Sequence, residues 1–513
     1  MTRPGPVVLA LWIAAALLLG AGVWRSVWAD AGTGGDVVLT TGAGSTLQAG
    51  TDGASPATGA GPAARAQTIR VPKGNLGTPL AARARSLLGL VLLAVLAWAL
   101  SVDRHRVQWR VVLWGIGLQL FAGILVLKTP LGEGFLSVMN DAVVALLGYT
   151  LDGARFVFGN LVQDNVPIGI GEVGQGSFQA SAHQVAQTGA SFAFSVLPTI
   201  IFFSSLMTLL YHLGIMQKVV RGIAWVMQRT MKTSGAETLS AAGNIFVGMT
   251  EAPLLIKPLV ERMTISELMA VMTAGFATVA GGVMAAYVGM LLIYFPDIAG
   301  HLMAASVMSA PAALVVAKLM VPEKGAPATS GSLPIEVERT DPNVIGAAAR
   351  GASDGLQLAL NVGAMLLAFI ALIYMLNGFL GWVGALVGHG GLTLEGILGW
   401  ILSPVAWLMG VSWQDAHTVG SLLGIKTVLN EFYAYLRLSG ILSGEAGLQP
   451  RSIIIVTYAL SGFANFGSIA IQLGGIGGIA PSRKDDLARL GLRAMVGGTI
   501  AAFMTATIAG MLL

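Results

Sequence analysis

Apolar runs long enough to cross a bilayer recur from about residue 83 to the end of this 513-residue chain. A helix needs roughly 20 apolar residues to cross the hydrocarbon core. The runs are continuous, whereas strands of a membrane barrel alternate apolar and polar residues in segments of about 10. Only 11% of the residues are charged, against about 25% in soluble domains. The sequence therefore predicts an all-α polytopic membrane protein built as one integral unit.

The runs predict eight spanning segments. They cover about 83–101, 111–128, 191–213, 268–294, 301–320, 356–386, 451–474 and 494–513. Basic clusters at 104–110, 218–232 and 483–493 all fall on one side if the first span enters from outside. Because cytoplasmic loops carry an excess of lysine and arginine, this topology places the three clusters inside. We therefore expect a multi-pass protein of the cytoplasmic (inner) membrane.

The chain divides into four parts by composition. Residues 1–29 are either a signal peptide, with Val27-Trp28-Ala29 resembling a cleavage site, or an extra N-terminal hydrophobic helix. Residues 30–80 are rich in Gly, Ala and Thr and predict a flexible extracytoplasmic segment. Residues 81–190 are expected to form N-terminal scaffold helices and an interfacial segment. Residues 191–513 are expected to form a core with two re-entrant repeat halves.

Two segments do not fit simple spans. Residues 235–263 are interrupted by Pro253 and Pro258, and residues 393–447 are interrupted by Pro404. Each begins and ends on one side of the membrane in the predicted topology, so we interpret both as re-entrant regions. Non-helical backbone at membrane depth is tolerated only inside protein or beside a water-filled cavity. These segments therefore indicate where a solute could bind.

The two halves of the core repeat one another. Gly275-Phe276-Ala277-Thr278 corresponds to Gly462-Phe463-Ala464-Asn465, and each follows a re-entrant segment that carries a glutamate, Glu251 or Glu431. The predicted topology orients the two copies oppositely, which is the inverted repeat of alternating-access transporters. Carboxylates at membrane depth are costly and indicate function. The alternative for both glutamates is a buried ion pair or a helix cap.

Four ordered motifs resemble the signature of the concentrative nucleoside transporter family, from about residue 83 to the end of the chain. They are Ala154-Arg155-Phe156-Val157-Phe158-Gly159-Asn160-Leu161, Gly243-Asn244-Ile245-Phe246-Val247-Gly248-Met249-Thr250-Glu251-Ala252-Pro253-Leu254, Asn430-Glu431-Phe432-Tyr433-Ala434-Tyr435, and Gly462-Phe463-Ala464-Asn465-Phe466-Gly467-Ser468-Ile469. The resemblance implies eight core helices with two re-entrant hairpins, assembled as a homotrimer. It also implies a secondary active symporter that imports nucleosides.

The resemblance assigns site residues by matching positions. The nucleobase would contact Met249, Thr250, Glu251 and Val283. The ribose would contact Glu431, Asn465 and Ser468, with Phe463 packed beside it. A coupling sodium ion would bind the side chains of Asn244 and Thr278 and the carbonyls of Val247 and Val279.

The side-chain chemistry independently suits a neutral nucleoside. A carboxylate such as Glu431 accepts strong charge-assisted hydrogen bonds from hydroxyl groups, and Asn465 both donates and accepts. These segments hold no cluster of arginine or lysine, which disfavours a phosphorylated nucleotide. Many family members have glutamine where this chain has Met249, and the methionine resembles purine-preferring relatives. Its alternative role is packing alone.

The remaining choices stay open on sequence grounds. The coupling ion is sodium or a proton. The expected partners are the nucleoside and membrane lipid, and no organic cofactor, metal cluster or nucleic-acid partner is expected. The chain has no cysteine, no hydrolytic triad and no Walker loop, which disfavours an enzyme or ATP-driven transport. An uncoupled channel or gate-like protein for another small polar solute is the alternative.

Overall fold

The computed structural model describes residues 77–163, 165–171, 178–187, 192–331, 341–386, 388–444 and 447–513. The predicted signal peptide or extra helix (1–29) and nearly all of the predicted flexible segment (30–80) lie outside the described residues.

Helices make up nearly all of the described part of the chain. In the N-terminal half they are α1 (Leu80–Ala99), α2 (Trp109–Lys128), α3 (Pro130–Phe158), α4 (Leu197–His212), α5 (Ile215–Met231), α6 (Gly235–Gly243), α7 (Ile265–Ala277), α8 (Gly281–Leu291) and α9 (Ile298–Met320). In the C-terminal half they are α10 (Val344–Leu386), α11 (Leu394–Met409), α12 (Trp413–Val428), α13 (Glu431–Leu442), α14 (Pro450–Leu460), α15 (Phe466–Ile479) and α16 (Lys484–Leu512).

Shorter elements complete the described fold. Three-residue to eleven-residue 3-10 helices lie at Arg104–Arg106, Gly159–Val162, Ala252–Arg262 and Pro481–Arg483, and one π-helical turn precedes α4 at Phe192–Val196. An antiparallel β-hairpin pairs β1 (Asn165–Gly171) with β2 (Phe178–Gln187). The sequence did not predict this hairpin, because its glycine- and glutamine-rich strands lack the apolar alternation of a buried sheet.

Among the described residues, eight helical stretches are long and apolar enough to cross a membrane. Seven of them coincide with predicted spans. The eighth is α3 with its 3-10 extension (Pro130–Val162), which was not predicted as a span. The start of α3 packs Leu136 against Gly300 in the first turn of α9, and its end packs Phe158 on Phe194 just before α4. In the predicted topology α4 and α9 both begin outside, so α3 starts and ends on the same side.

Two predicted spans are broken helices. The span predicted at 268–294 consists of α7 and α8, and the span predicted at 451–474 consists of α14 and α15. The first break lies at 278–280 and the second at 461–465. In the second break Gly462 has a φ of +124°, a conformation that side chains other than glycine's rarely adopt. Asn465 then starts α15 as its N-cap, accepting from the Ser468 backbone N–H at 2.8 Å.

The two re-entrant regions form hairpins. We call residues 235–262 the first hairpin; it consists of α6, a tip, and the 3-10 helix that Pro253 and Pro258 keep from continuing as an α-helix. We call residues 413–442, α12 and α13, the second hairpin. The region predicted at 393–447 is thus larger than its hairpin, because α11 precedes it as a separate helix, bent by 117° from α12.

The hairpins enter from opposite ends of α16. The first hairpin ends where Arg483, just before α16, donates from Nη1 to the Met263 carbonyl at 2.7 Å. The second hairpin lies near the other end, where Arg451 donates to the carbonyls of Gly410 at 3.0 Å and Gly510 at 2.7 Å. A 29-residue helix is about 43 Å long, enough to cross a bilayer. The predicted fold of an α-helical membrane protein with two re-entrant hairpins in inverted repeats is confirmed.

Candidate functional site

The hairpin tips and the helix breaks meet in the interior. Gly462 lies so close to the first break that a Cβ there would be 2.8 Å from the Ala277 carbonyl oxygen. Gly275 and Gly475 similarly lie against Met249 and Thr250 of the first tip, where a Cβ would be 2.7 and 2.6 Å from their side chains. Broken helices leave backbone N–H and C=O groups without intrahelical partners. The core therefore concentrates free polar groups at one place.

Glu431 is the charged centre of this region. It is the first residue of α13 and is 5% exposed. Its Oε1 accepts a hydrogen bond from the Tyr287 hydroxyl at 2.9 Å, and its Oε2 accepts one from Asn465 Nδ2 at 2.9 Å. Two donors and a helix N-terminus stabilise the carboxylate. Each oxygen retains a lone pair that could accept from a bound hydroxyl.

Aromatic rings line one side of Glu431. Tyr287 on α8 stacks on Tyr435 of α13, with ring centroids 4.3 Å apart, and it meets Phe432 edge-on at 5.5 Å. The Tyr435 hydroxyl donates to the Thr457 carbonyl at 2.7 Å. These contacts fix the second tip against α8 and α14. Sequence reasoning did not select Tyr287, because a tyrosine inside an apolar helix has no signature until its partner is known.

The predicted nucleobase residues lie on the first tip and the first break. Met249 is buried, Thr250 is half-buried and Glu251 is exposed, while Val283 is buried in the first turn of α8. Glu251 Oε2 accepts from the Gly248 backbone N–H at 3.1 Å. The glutamate therefore stabilises the turn that contains it, and it has no ion-pair partner within the described residues.

The remaining predicted substrate residues lie at the second break. Phe463 and Asn465 are inside it, and Ser468 is in the first turn of α15. All three are buried. The eight predicted substrate residues thus lie on the two hairpin tips, in the second break and in the first turns of α8 and α15. Which of them contact a substrate stays a prediction. Gln472, not selected from sequence, donates to the Met272 carbonyl at 3.0 Å and joins α15 to α7.

The predicted sodium ligands lie at the end of α6 (Asn244), in the first tip (Val247) and in the first break (Thr278 and Val279). Asn244 is 1% exposed. Its Nδ2 donates to the Ser240 carbonyl at 3.0 Å, while its Oδ1 is buried without a hydrogen-bond partner. Thr278 is buried and donates to the Ala274 carbonyl at 2.8 Å, which leaves its lone pairs available. Val279 lies inside the break, before the hydrogen-bonded turns of α8 begin.

These neutral oxygens fit an alkali cation. An orphaned buried carbonyl oxygen is costly and needs a partner such as an ion or ordered water. Broken-helix ends coordinate sodium in this way in other transporters. Within the described residues, no group of three or more His, Cys, Asp or Glu side chains could hold a metal ion.

Three family models match the chain in order. They are described as "Na+ dependent nucleoside transporter N-terminus" over residues 88–161, "Nucleoside recognition" over 193–294, and "Na+ dependent nucleoside transporter C-terminus" over 301–510. The chain belongs to the concentrative, sodium-dependent nucleoside transporter family. The prediction from the four motifs is confirmed, and the family is one of transporters rather than enzymes.

Curated proteins of this family are close in sequence. Mouse solute carrier family 28 member 3 is 43% identical over 437 residues, covering 83% of this chain and 58% of the relative. Rat sodium/nucleoside cotransporter 2 is 40% identical over 440 residues, covering 83% and 62%. An uncharacterized transporter of Haemophilus influenzae is 43% identical over 430 residues, covering 83% and 97%. The match therefore spans about three fifths of the mammalian relatives and nearly all of the bacterial one.

Solved structures of the same family match the fold. A structure of CNTnw, described as inward-facing and substrate-bound, superposes with a TM-score of 0.74 at 43% identity, covering 84% of this chain and 98% of that one. This concentrative nucleoside transporter fold is a multi-pass membrane architecture, as the apolar spans predicted.

Proposed function

We propose that the protein is a secondary active symporter that imports nucleosides across the cytoplasmic membrane, driven by a sodium gradient. The observation that carries this proposal is the buried carboxylate of Glu431, held by Tyr287 and Asn465 between a hairpin tip and a helix break. A carboxylate fixed in this way binds the hydroxyls of a neutral sugar. Family membership supports the nucleoside as the molecule that carries that sugar.

Sodium is the proposed coupling ion. The oxygens of Asn244 and Thr278, with the carbonyls of Val247 and Val279, would hold it between the first tip and the first break. When bound, the ion would supply positive charge that links the first hairpin to α7 and α8. Because the same tip carries the proposed nucleobase contacts, ion binding would order the substrate site and couple the two ligands.

A purine preference is the finer proposal. Met249 is buried at the first tip and offers an adaptable apolar surface rather than hydrogen bonds. A purine has the larger flat face and gains more from such a contact. Thr250 and Glu251 would supply the polar contacts to the base edge.

The assembly and its division are also proposals. We propose a homotrimer in which residues 81–190 belong to a scaffold and residues 191–513 form the transporter core. Apolar side chains that are exposed on α10, such as Leu367 at 76%, fit contact with lipid or a neighbouring protomer. Cross-linking of the purified protein in lipid, followed by mass measurement, tests the trimer.

The proposed function is tested by uptake into proteoliposomes. Labelled uridine and adenosine are offered with a sodium gradient, a proton gradient, or neither, and Glu431→Gln serves as the inactive control. We expect accumulation above the external concentration only with inward sodium, and more adenosine than uridine. Accumulation with a proton gradient alone would reject sodium coupling. Uptake that merely equilibrates under every gradient would indicate an uncoupled channel.

A further inference from the structure

Lys426 is a buried cation inside the second hairpin. It lies in the last turn of α12 and is 1% exposed. Its Nζ donates to the Ala459 carbonyl at 2.8 Å. Since α14 ends at Leu460, this carbonyl is among those that the helix leaves without an intrahelical partner. The ammonium therefore joins the second hairpin to the end of α14, immediately before the second break.

A second buried charge, that of Glu431, lies near Lys426 in the same hairpin. The two residues flank the short turn between α12 and α13 and are both buried, so their opposite charges attract each other although they form no direct ion pair. Lysine lies at the negative C-terminal ends of α12 and α14, and glutamate lies at the positive N-terminal end of α13. The other groups around the carboxylate, Tyr287 and Asn465, are neutral donors. Lys426 therefore contributes a full positive charge near Glu431, whereas Tyr287 and Asn465 contribute only dipoles.

The first repeat has no such lysine at the matching place. In the first hairpin, Asn244 follows directly after α6 and presents a buried oxygen without a hydrogen-bond partner. In the second repeat, between the second tip and the break after α14, the Ala459 carbonyl is already bonded to the Lys426 ammonium. The first hairpin thus holds a neutral oxygen without a partner, whereas the second hairpin holds a cation on one of its own side chains.

We propose that Lys426 is a positioning residue for the sugar site: a tethered cation that keeps Glu431 ionised. The proposal rests on the assignment of Glu431 to a ribose hydroxyl. A buried carboxylate without a nearby cation is costly and takes up a proton instead. The protonated group would lose its charge-assisted hydrogen bond to the sugar. Lys426 itself touches no substrate.

The test compares ribonucleoside with deoxynucleoside binding. Adenosine, 2′-deoxyadenosine and 3′-deoxyadenosine are bound to purified protein in sodium, and the wild type identifies which missing hydroxyl costs most. In Lys426→Met we expect adenosine to bind roughly 10- to 100-fold more weakly. The deoxynucleoside that lacks the hydroxyl identified with the wild type should lose little affinity. The difference in affinity between adenosine and that deoxynucleoside should therefore nearly disappear. Lys426→Arg, which keeps the charge, should keep most of the difference.

Lys318→Met is the matched control, because Lys318 is also buried but forms ion pairs with Glu237 and Glu323 instead. We expect it to lower stability without narrowing the difference between ligands. If Lys426→Met weakens both ligands equally or leaves the difference intact, Lys426 is only structural and the proposal is overturned.

Folding provides a second readout. If Lys426→Met alone does not fold, Lys426→Met with Glu431→Gln should fold, because no uncompensated charge is then buried. Failure of this double variant as well would also overturn the proposal. If instead wild type fails to distinguish any deoxynucleoside, the assignment of Glu431 to ribose is wrong, and the role of Lys426 falls with it.

Discussion

The two hairpins share an architecture but differ in the charge of their tips. The first tip presents Met249, an exposed glutamate and the unpartnered oxygen of Asn244. The second hairpin buries two opposite charges, Lys426 at the end of α12 and Glu431 at the start of α13. An inverted repeat therefore need not duplicate chemistry. The first hairpin presents neutral oxygens that suit the proposed sodium ion, whereas the second carries its charges on its own side chains.

The bases of the hairpins also differ, but there the ion pairs are in the first hairpin. At the first base, Lys318 contacts Glu237 at 2.7 Å and Glu323 at 3.3 Å, and Ser234 and Thr264 form capping boxes with Glu237 and Glu267. At the second base, Arg451 bonds to backbone carbonyls at the ends of α11 and α16. Both bases are fixed, so changes at the tips should report on ligands rather than on hairpin docking.

The largest expected effect is at the second tip. Glu431→Gln keeps the shape of the side chain but removes its charge and leaves Lys426 without its carboxylate. Losing one charge-assisted hydrogen bond costs roughly 1.5–3 kcal/mol, which is tenfold or more in affinity. We expect nucleoside uptake at low substrate to be lost or severely reduced while the protein remains inserted. Near-normal uptake would remove Glu431 from the site.

The first tip should respond to sodium instead. Thr278→Val removes one proposed ion ligand at the break. Thr273→Val is the control, because Thr273 lies on α7, is equally buried and is away from the break. We expect the sodium concentration for half-maximal uptake to rise roughly tenfold in Thr278→Val, as for a loss of about 1.4 kcal/mol, and to stay unchanged in Thr273→Val. Sodium should also raise the melting temperature of wild type by mass action. Equal sodium dependence in both variants would reject the ion site.

The contact between the two breaks offers a third test. Gly462→Ala forces a side chain into a φ of +124° and against the Ala277 carbonyl oxygen. Backbone strain of this kind costs roughly 1–3 kcal/mol, so we expect a lower melting temperature and weaker binding of both ion and nucleoside. Gly474→Ala is the control, because a Cβ there meets nothing within 4 Å. If the two substitutions behave alike, the breaks are not coupled through this contact.

The spans and hairpins could be predicted because hydropathy and helix-breaking residues are local signals. The breaks at 278–280 and 461–465 could not be located in this way, since the apolar runs continue across them. The partners of Glu431 were only partly accessible. Asn465 lies in a recognisable motif, but Tyr287 is 144 residues distant in sequence and becomes visible only when α8 packs on the second tip. Lys426 was missed because one lysine in a polar region resembles a solvated charge.

The smallest expected effect is on nucleoside selectivity and concerns Met249 at the first tip. Met249 packs so closely on α7 that Gly275 could not carry a side chain, and its thioether offers no donor and only a poor acceptor. Met249→Gln would add a donor and an acceptor for a pyrimidine edge and change selectivity by about 0.5–1.5 kcal/mol. We expect wild type to prefer adenosine or inosine to cytidine, and the variant to narrow that preference. Competition of each unlabelled nucleoside against one labelled tracer measures the ranking. Met249→Leu, similar in volume but without hydrogen bonds, should keep the wild-type ranking. A ranking unchanged in Met249→Gln would mean that this side chain only packs between the first tip and α7, and that base selection lies elsewhere in the site.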